Sequence, residues 1–233
     1  MDRALIQSAA AGAGIELSDE MIRTLDCFIE ELKDANQKLN LTAITEDEAI
    51  ASRHLEDSWH AVPLIPPKAS LMDIGTGAGF PGLVLAMVRP DLDVTLLDAT
   101  RKKVDFLNGI IDNLGLEKVR AVWGRAEELA HDPSLRDSFD VATARALTAL
   151  PQLVELSLPF VRPGGSLIAM KGEENETKIA SRAIRLMQGS LDSVIPYSLP
   201  GRDKPRTLVV IRKIGPTPPS YPRRMAVIKK TPL

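Results

Sequence analysis

Apolar side chains recur at helical spacing through the first part of the chain and then change period. Met21, Ile22, Leu25, Phe28, Ile29, Leu32 and Leu39 fall near one face of a helix over 18–39, with Ser18 placed to cap it. The same reading predicts a shorter helix over about 3–12 and another over about 46–61. Pro63, Pro66 and Pro67 then break the chain. Residues 1–67 therefore read as an N-terminal helical extension.

From Ala69 short apolar runs alternate with helical patterns. Strands are predicted at 70–74, 93–98, 119–123, 139–143 and 165–170. Helices over about 81–88, 101–114 and 149–160 lie between several of them, with a short turn near 126–130. This alternation implies right-handed crossovers and a parallel sheet, which is an α/β doubly wound fold. Runs at 191–199 and 206–213, joined by Pro200-Gly201, predict an antiparallel hairpin at the sheet edge. The result is a mostly parallel seven-stranded sheet within residues 68–214. Four prolines between Gly215 and Pro222 predict an extended start to a basic, Pro-rich tail over 215–233.

Composition sharpens this picture at a few points. The chain has 233 residues, 44% of them hydrophobic and 26% charged, as in a soluble globular protein. Its apolar runs are too short to span a membrane. The opening residues, Met1 to Gly14, lack the apolar core and cleavage site of a secretory signal, so a cytoplasmic location is expected. Cys27 is the only cysteine, so no internal disulfide forms, and alone it builds no structural zinc site. Its place in an apolar helical pattern predicts a small buried residue. No metal is expected, and a monomer is. The sequons at Asn40 and Asn175 carry little weight without an export signal. Net charge is −2, yet residues 201–233 hold nine Lys or Arg against one acid, Asp203. Such a segment suits contact with phosphate, and a merely solvated tail fits the charge equally well.

The chemistry concentrates in Leu71-Met72-Asp73-Ile74-Gly75-Thr76-Gly77-Ala78-Gly79-Phe80-Pro81-Gly82, between a strand and a helix. Its glycines let the backbone turn sharply and approach a ligand, and Pro81 suits the first turn of the following helix. In a doubly wound sheet this turn opens at the carboxyl end of the first strand, where ligands bind. Strand Val94 to Leu97 ends at Asp98, about twenty residues beyond the loop, where a carboxylate can accept hydrogen bonds from both ribose hydroxyls of an adenosine. Asp73, just before the first glycine, disfavours a pyrophosphate and suits a ligand with an amine and a sulfonium. It also suits a simple turn-capping carboxylate.

These segments, with others in the same order, resemble the bacterial glucose-inhibited division protein B family, the small-subunit (16S) ribosomal RNA guanine-N7 methyltransferases. The matching pieces are Asn40-Leu41-Thr42; Arg53 to Ser58; Asp73 to Gly82; Leu96-Leu97-Asp98; Phe106-Leu107; Arg125-Ala126-Glu127; Arg145-Ala146; Lys171-Gly172; and Leu208 to Ile211. They cover about residues 36–214. The ending Tyr221-Pro222-Arg223-Arg224 is similar to a common family ending. Two departures stand out: Ala144 where the family usually has Ser, and Lys204 to Thr207 where it often has a Gly and a charged residue.

The resemblance implies a Rossmann-like class I methyltransferase that uses S-adenosyl-L-methionine. Gly75, Gly77 and Phe80 would line the methionine side, and Asp98 would hold the ribose. Ala126 and Glu127 would sit beside the adenine, and Arg145 would border the cofactor and the incoming base. Without the resemblance, Phe80 reads as core packing, Glu127 as an exposed acid and Arg145 as a surface ion pair. Guanine N7 has an in-plane lone pair and no proton to lose, so no general base and no catalytic His is nominated. His54 would organise a helix end or touch RNA, with His60 and His131 as bystanders. Arg53, Arg101, Lys102, Lys171, Arg206, Arg223 and Arg224 are the RNA-binding candidates, the partner being ribosomal RNA or a ribosomal particle. An NAD-dependent oxidoreductase, a non-catalytic RNA-binding module and a methyltransferase for another substrate remain the competing readings.

Overall fold

The computed structural model describes residues 1–172 and 176–233, so the sequon asparagine Asn175 lies outside the described residues. Among them, seven strands form one sheet in the order β3-β2-β1-β4-β5-β7-β6. The strands are β1 (Ser70–Ile74), β2 (Asp93–Asp98), β3 (Val119–Trp123), β4 (Phe139–Arg145), β5 (Val161–Lys171), β6 (Gly189–Tyr197) and β7 (Arg206–Lys213). β1 pairs in parallel with β2 and β4, which places Asp73 beside Leu96 on one side and Thr143 on the other. β7 is antiparallel to both β5 and β6. The expected wound sheet with an edge hairpin is therefore present.

Helices cover both faces, because alternate residues of one strand point to opposite sides. Leu71 joins the apolar cluster shared with α2 (Asp19–Leu39), α5 (Gly82–Val88) and α6 (Arg101–Leu114). Its neighbour Met72 joins the cluster shared with α8 (Leu150–Ser157) and α9 (Thr177–Leu186). Helix α2 begins as its pattern predicts, with Ser18 Oγ accepting from Met21 N at 3.2 Å, and it buries Ile22, Leu25, Phe28, Ile29 and Leu32. A shorter α1 (Arg3–Gly12) packs beside it.

Several expectations change. Cys27 is exposed, since it lies two residues from buried Leu25 and thus nearly opposite the apolar stripe. The helix expected over 46–61 forms without a gap from Asp47 to Trp59, but its hydrogen-bonding widens midway: α3 (Asp47–Ile50) passes into a π-helical stretch (Ala51–Glu56) and then α4 (Asp57–Trp59). Six consecutive residues there, His54 to Trp59, are buried, and Trp59 Nε1 donates to Val84 O at 3.1 Å. Helix α9 had no counterpart among the expected elements, although Ala180, Ala183 and Ile184 bury one face at helical spacing. Beyond the Pro-rich stretch expected to be extended, which carries no helix, the tail forms α10 (Met225–Lys230), an element the sequence did not announce.

Candidate functional site

The glycine-rich loop leaves β1 and is held to the end of β2. Gly75 N and Thr76 N both donate to Leu97 O, at 2.8 and 3.0 Å. Gly75 and Gly77 have φ of 70° and 61°, the left-handed region that glycine occupies without a Cβ clash. A Cβ on Gly75 would stand 2.7 Å from a Leu147 methyl, whereas one on Gly77 would meet nothing nearer than 4.0 Å.

The two strand-end acids have separate tasks. Asp73 is fully buried and spends its oxygens on the protein: Oδ2 accepts from Gly82 N at 2.9 Å, and Oδ1 accepts from Thr143 Oγ1 at 2.9 Å. Burial pushes its carboxyl above the ordinary value. It caps the start of α5, as the turn-capping reading has it. Asp98 instead opens onto a cavity. Its Oδ2 accepts from Gly77 N at 3.0 Å and its Oδ1 from Thr100 N at 2.8 Å, so both loops are fastened to one carboxylate. Each oxygen retains a second acceptor position.

That cavity is about 440 Å³, within the range that holds a small organic ligand. Gly75 and Asp98 line it at the ends of β1 and β2. Gly124 to Glu127 line it past β3, at the start of α7 (Ala126–Leu129), and Ala146 to Thr148 past β4. A helix start leaves its first amides free to donate to a ligand. Glu127 is buried against this cavity rather than exposed.

Phe80 and Arg145 lie on the far side of the loop, in a different assembly. Phe80 stacks on His54 with ring centroids 4.1 Å apart and packs against Phe28 at 5.6 Å. The Arg145 guanidinium lies 5.5 Å from the Phe80 ring centroid. Arg145 also donates to Asp57 Oδ2 and to His54 Nδ1, both at 2.9 Å. Asp57 further accepts from Tyr197 at 2.6 Å and from two nitrogens of Arg206 at 3.1 Å. Burial would raise the Asp57 carboxyl, but Arg145, Arg206 and the Tyr197 hydroxyl outweigh it and hold the carboxyl below its ordinary value. Burial and the Arg145 charge lower His54 to about 3, so the ring is neutral. Its Nδ1 accepts from Arg145 and its Nε2–H donates to Thr42 Oγ1 at 3.0 Å. Together these groups tie the N-terminal helices to β4, β6 and β7. They border a second, smaller recess of about 170 Å³, lined also by Arg53 and Arg202, which meets the larger cavity at Ala146.

The profile of the family described as rRNA small subunit methyltransferase G matches residues 21–208. The chain is 42% identical to ribosomal RNA small subunit methyltransferase G of Acetivibrio thermocellus, over 99% of this chain and 96% of that one. It is 43% identical to the protein of that name from Moorella thermoacetica, over 98% and 97%. The chain belongs to the rRNA small subunit methyltransferase G family. Its fold is also that of more distant solved proteins, such as Aeropyrum pernix fibrillarin in complex with natively bound S-adenosyl-L-methionine. That likeness has a TM-score of 0.50 at 12% identity, over 62% of this chain and 66% of the other.

In this family member the basic candidates separate by partner. Arg53 and Arg224 are exposed. Arg101 pairs with exposed Asp105 and covers the ring of Trp123, which is 54% exposed. Lys102 donates to Leu39 O at 2.6 Å, and Lys171 bridges Glu176 and Thr148 O. Arg206 is committed to Asp57 and Arg223 to Glu155, so both are structural cations here. His131, expected to be a bystander, bonds Pro222 O at 3.0 Å and so must donate there. Lys103, Leu147, Thr148, Gln152, Met225, Ile228 and Lys229 also line the cavity and had not been singled out. Lys103 follows the basic pair after Asp98 and could have been found; the last three come from a tail whose return only the fold reveals. Among the described residues no helix is long and apolar enough to cross a membrane, and no cluster of His, Cys, Asp or Glu could hold a metal.

Proposed function

We propose that this rRNA methyltransferase family member transfers a methyl group from S-adenosylmethionine to N7 of a guanine in small-subunit ribosomal RNA, in the cytoplasm. The observation that carries the donor assignment is Asp98, fastened to both loops and facing the cavity. Its free acceptor positions suit the two hydroxyls of a ribose. The Gly82 amide, the first-turn donor a pyrophosphate would use, is already taken by Asp73. That supports an adenosyl sulfonium over a dinucleotide.

When bound, S-adenosylmethionine supplies an electrophilic methyl group. The chain's part is to bind and align. Asp98 holds the sugar, Gly75 and Gly77 bring the backbone close to the aminoacyl portion, and Ala126 and Glu127 flank the purine. The target base reaches the methyl past Ala146 to Thr148, where the Arg145–Asp57 assembly keeps the end of β4 rigid. Guanine N7 carries no proton in the attacking position, so no base is needed. His54 fits this reading, being neutral with both ring nitrogens engaged. Arg53, Arg101 and Arg224, all exposed, are the candidates to meet RNA phosphates.

The deciding experiment incubates the protein with methyl-labelled S-adenosylmethionine and unmodified small-subunit particles, then identifies the labelled nucleoside. N7-methylguanosine at one position is expected. Label in another nucleoside, or none in RNA, would overturn the assignment.

A further inference from the structure

The tail beyond the family-matched residues is pinned at successive points. Arg136 donates to four carbonyls: Ala130 O, Thr217 O, Pro218 O and Tyr221 O, at 2.8 to 3.0 Å. Lys213, itself buried, joins Asp137 and Thr217. His131 holds Pro222 O. Arg223 then makes a two-pronged pair with Glu155, at 2.8 and 2.7 Å, while its own N–H donates to the same carboxylate at 2.9 Å. Glu155 is fully buried on α8. An unpaired carboxylate there is strongly disfavoured, so the pair sets the register of the residues after Arg223. Two residues on, α10 starts, with Ile228 fully buried.

The consequence is spatial. Met225, Ile228 and Lys229 line the cavity that Asp98 opens onto. Met225 also lines the adjoining groove with Arg125, Glu127 and Pro222, which places it on the β3 side of the cavity, away from the glycine loop. A thioether is flexible and polarisable, and it packs well against an aromatic ring.

We propose that α10 is a wall of the cofactor site and that Met225 contacts the adenine of the bound nucleoside. This rests on S-adenosylmethionine being the methyl donor. The Arg223–Glu155 pair acts as the clamp that holds Met225 in place, and cofactor affinity depends on a segment outside the family-matched residues 21–208.

Calorimetric binding of S-adenosylmethionine and of 5′-methylthioadenosine, which share the purine but not the amino-acid end, tests this on the full-length protein. Met225→Ala is expected to weaken both about equally, by about fivefold or more, with Met225→Leu restoring binding because it conserves volume. A chain ending at Arg224 should lose about tenfold or more. A purely structural α10 would instead lower the unfolding temperature of the free protein and leave both dissociation constants within about twofold, which overturns the inference. Weakening of S-adenosylmethionine alone would overturn the adenine assignment. If the shortened chain fails to fold, the Met225 pair decides. No binding by the intact protein would sink the donor assignment, and this inference with it; normal binding unaffected by these changes sinks only the inference.

Discussion

The two ends of the chain are docked on the sheet by different physics. Helix α2 presents a continuous apolar stripe, from Ile22 to Leu32, and buries it against α5 and α6. The stretch from Thr217 to Lys230 is held chiefly by ions and carbonyls: Arg136 on the backbone oxygens of Thr217, Pro218 and Tyr221, Lys213 on the Thr217 hydroxyl, Arg223 on Glu155. Burial of apolar area is non-directional and scales with surface, so the N-terminal helices add to the global core. Paired charges are directional, so the tail gains a defined position more than a large stability increment. A region that must place one side chain in a cavity benefits from the second arrangement.

The largest expected effect separates the two ends directly. Phe28→Ala should lower unfolding free energy by about 3–5 kcal/mol in urea titration. Arg223→Ala, which leaves the Glu155 carboxylate without its cation, should release the tail locally and open it to protease while the sheet stays folded. Equal global losses would erase the distinction. Next, Asp98→Ala should weaken S-adenosylmethionine binding by about tenfold or more, since it removes hydrogen bonds to a charged acceptor worth about 1.5–3 kcal/mol. An unchanged dissociation constant would remove Asp98 from the site.

The N-terminal region has polar anchors of its own, and pH reads one of them, His54. His54 is neutral when folded, its value lowered to about 3, whereas the unfolded ring takes a proton near its ordinary value of 6.5. Its contribution is therefore complete above 6.5 and is lost as pH falls from there toward 3, with a slope approaching about 1.4 kcal/mol per pH unit. Denaturation midpoints from about pH 7 to about pH 4 should fall less steeply for His54→Gln than for the parent. Parallel curves would mean that His54 is not the titrating group. The smallest change concerns exposed charge. Arg53→Ala should reduce the slope of log affinity for ribosomal RNA against log salt by about 1, with cofactor binding unaltered. An unaltered slope would place Arg53 outside the RNA contact.

The same contrast explains why α2 was legible in the sequence and α10 was not. Seven apolar positions at helical spacing announce α2. Only Ile228 is fully buried in α10, and no period betrays a six-residue helix. The acid in the apolar run Leu153-Val154-Glu155-Leu156 was a usable signal, because a buried carboxylate requires a partner. Its identity, Arg223, lies 68 positions away. Phe80 and Arg145 show a further limit. Both flank the loop in sequence or in sheet order, yet Phe80 stacks on His54 and Arg145 pairs with Asp57, and neither lines the larger cavity.

Local rules, then, were enough for the wound sheet, the glycine turn and the acid at the tip of β2, because periodicity, backbone freedom and strand length are written in neighbouring residues. Which of two strand-end acids faces the cavity, which arginines are spent inside the protein and which distant segment lines that cavity were decided only on folding. Each depends on a pairing between groups far apart in the chain, and desolvation of charge, which selects those pairings, has no meaning until an interior exists.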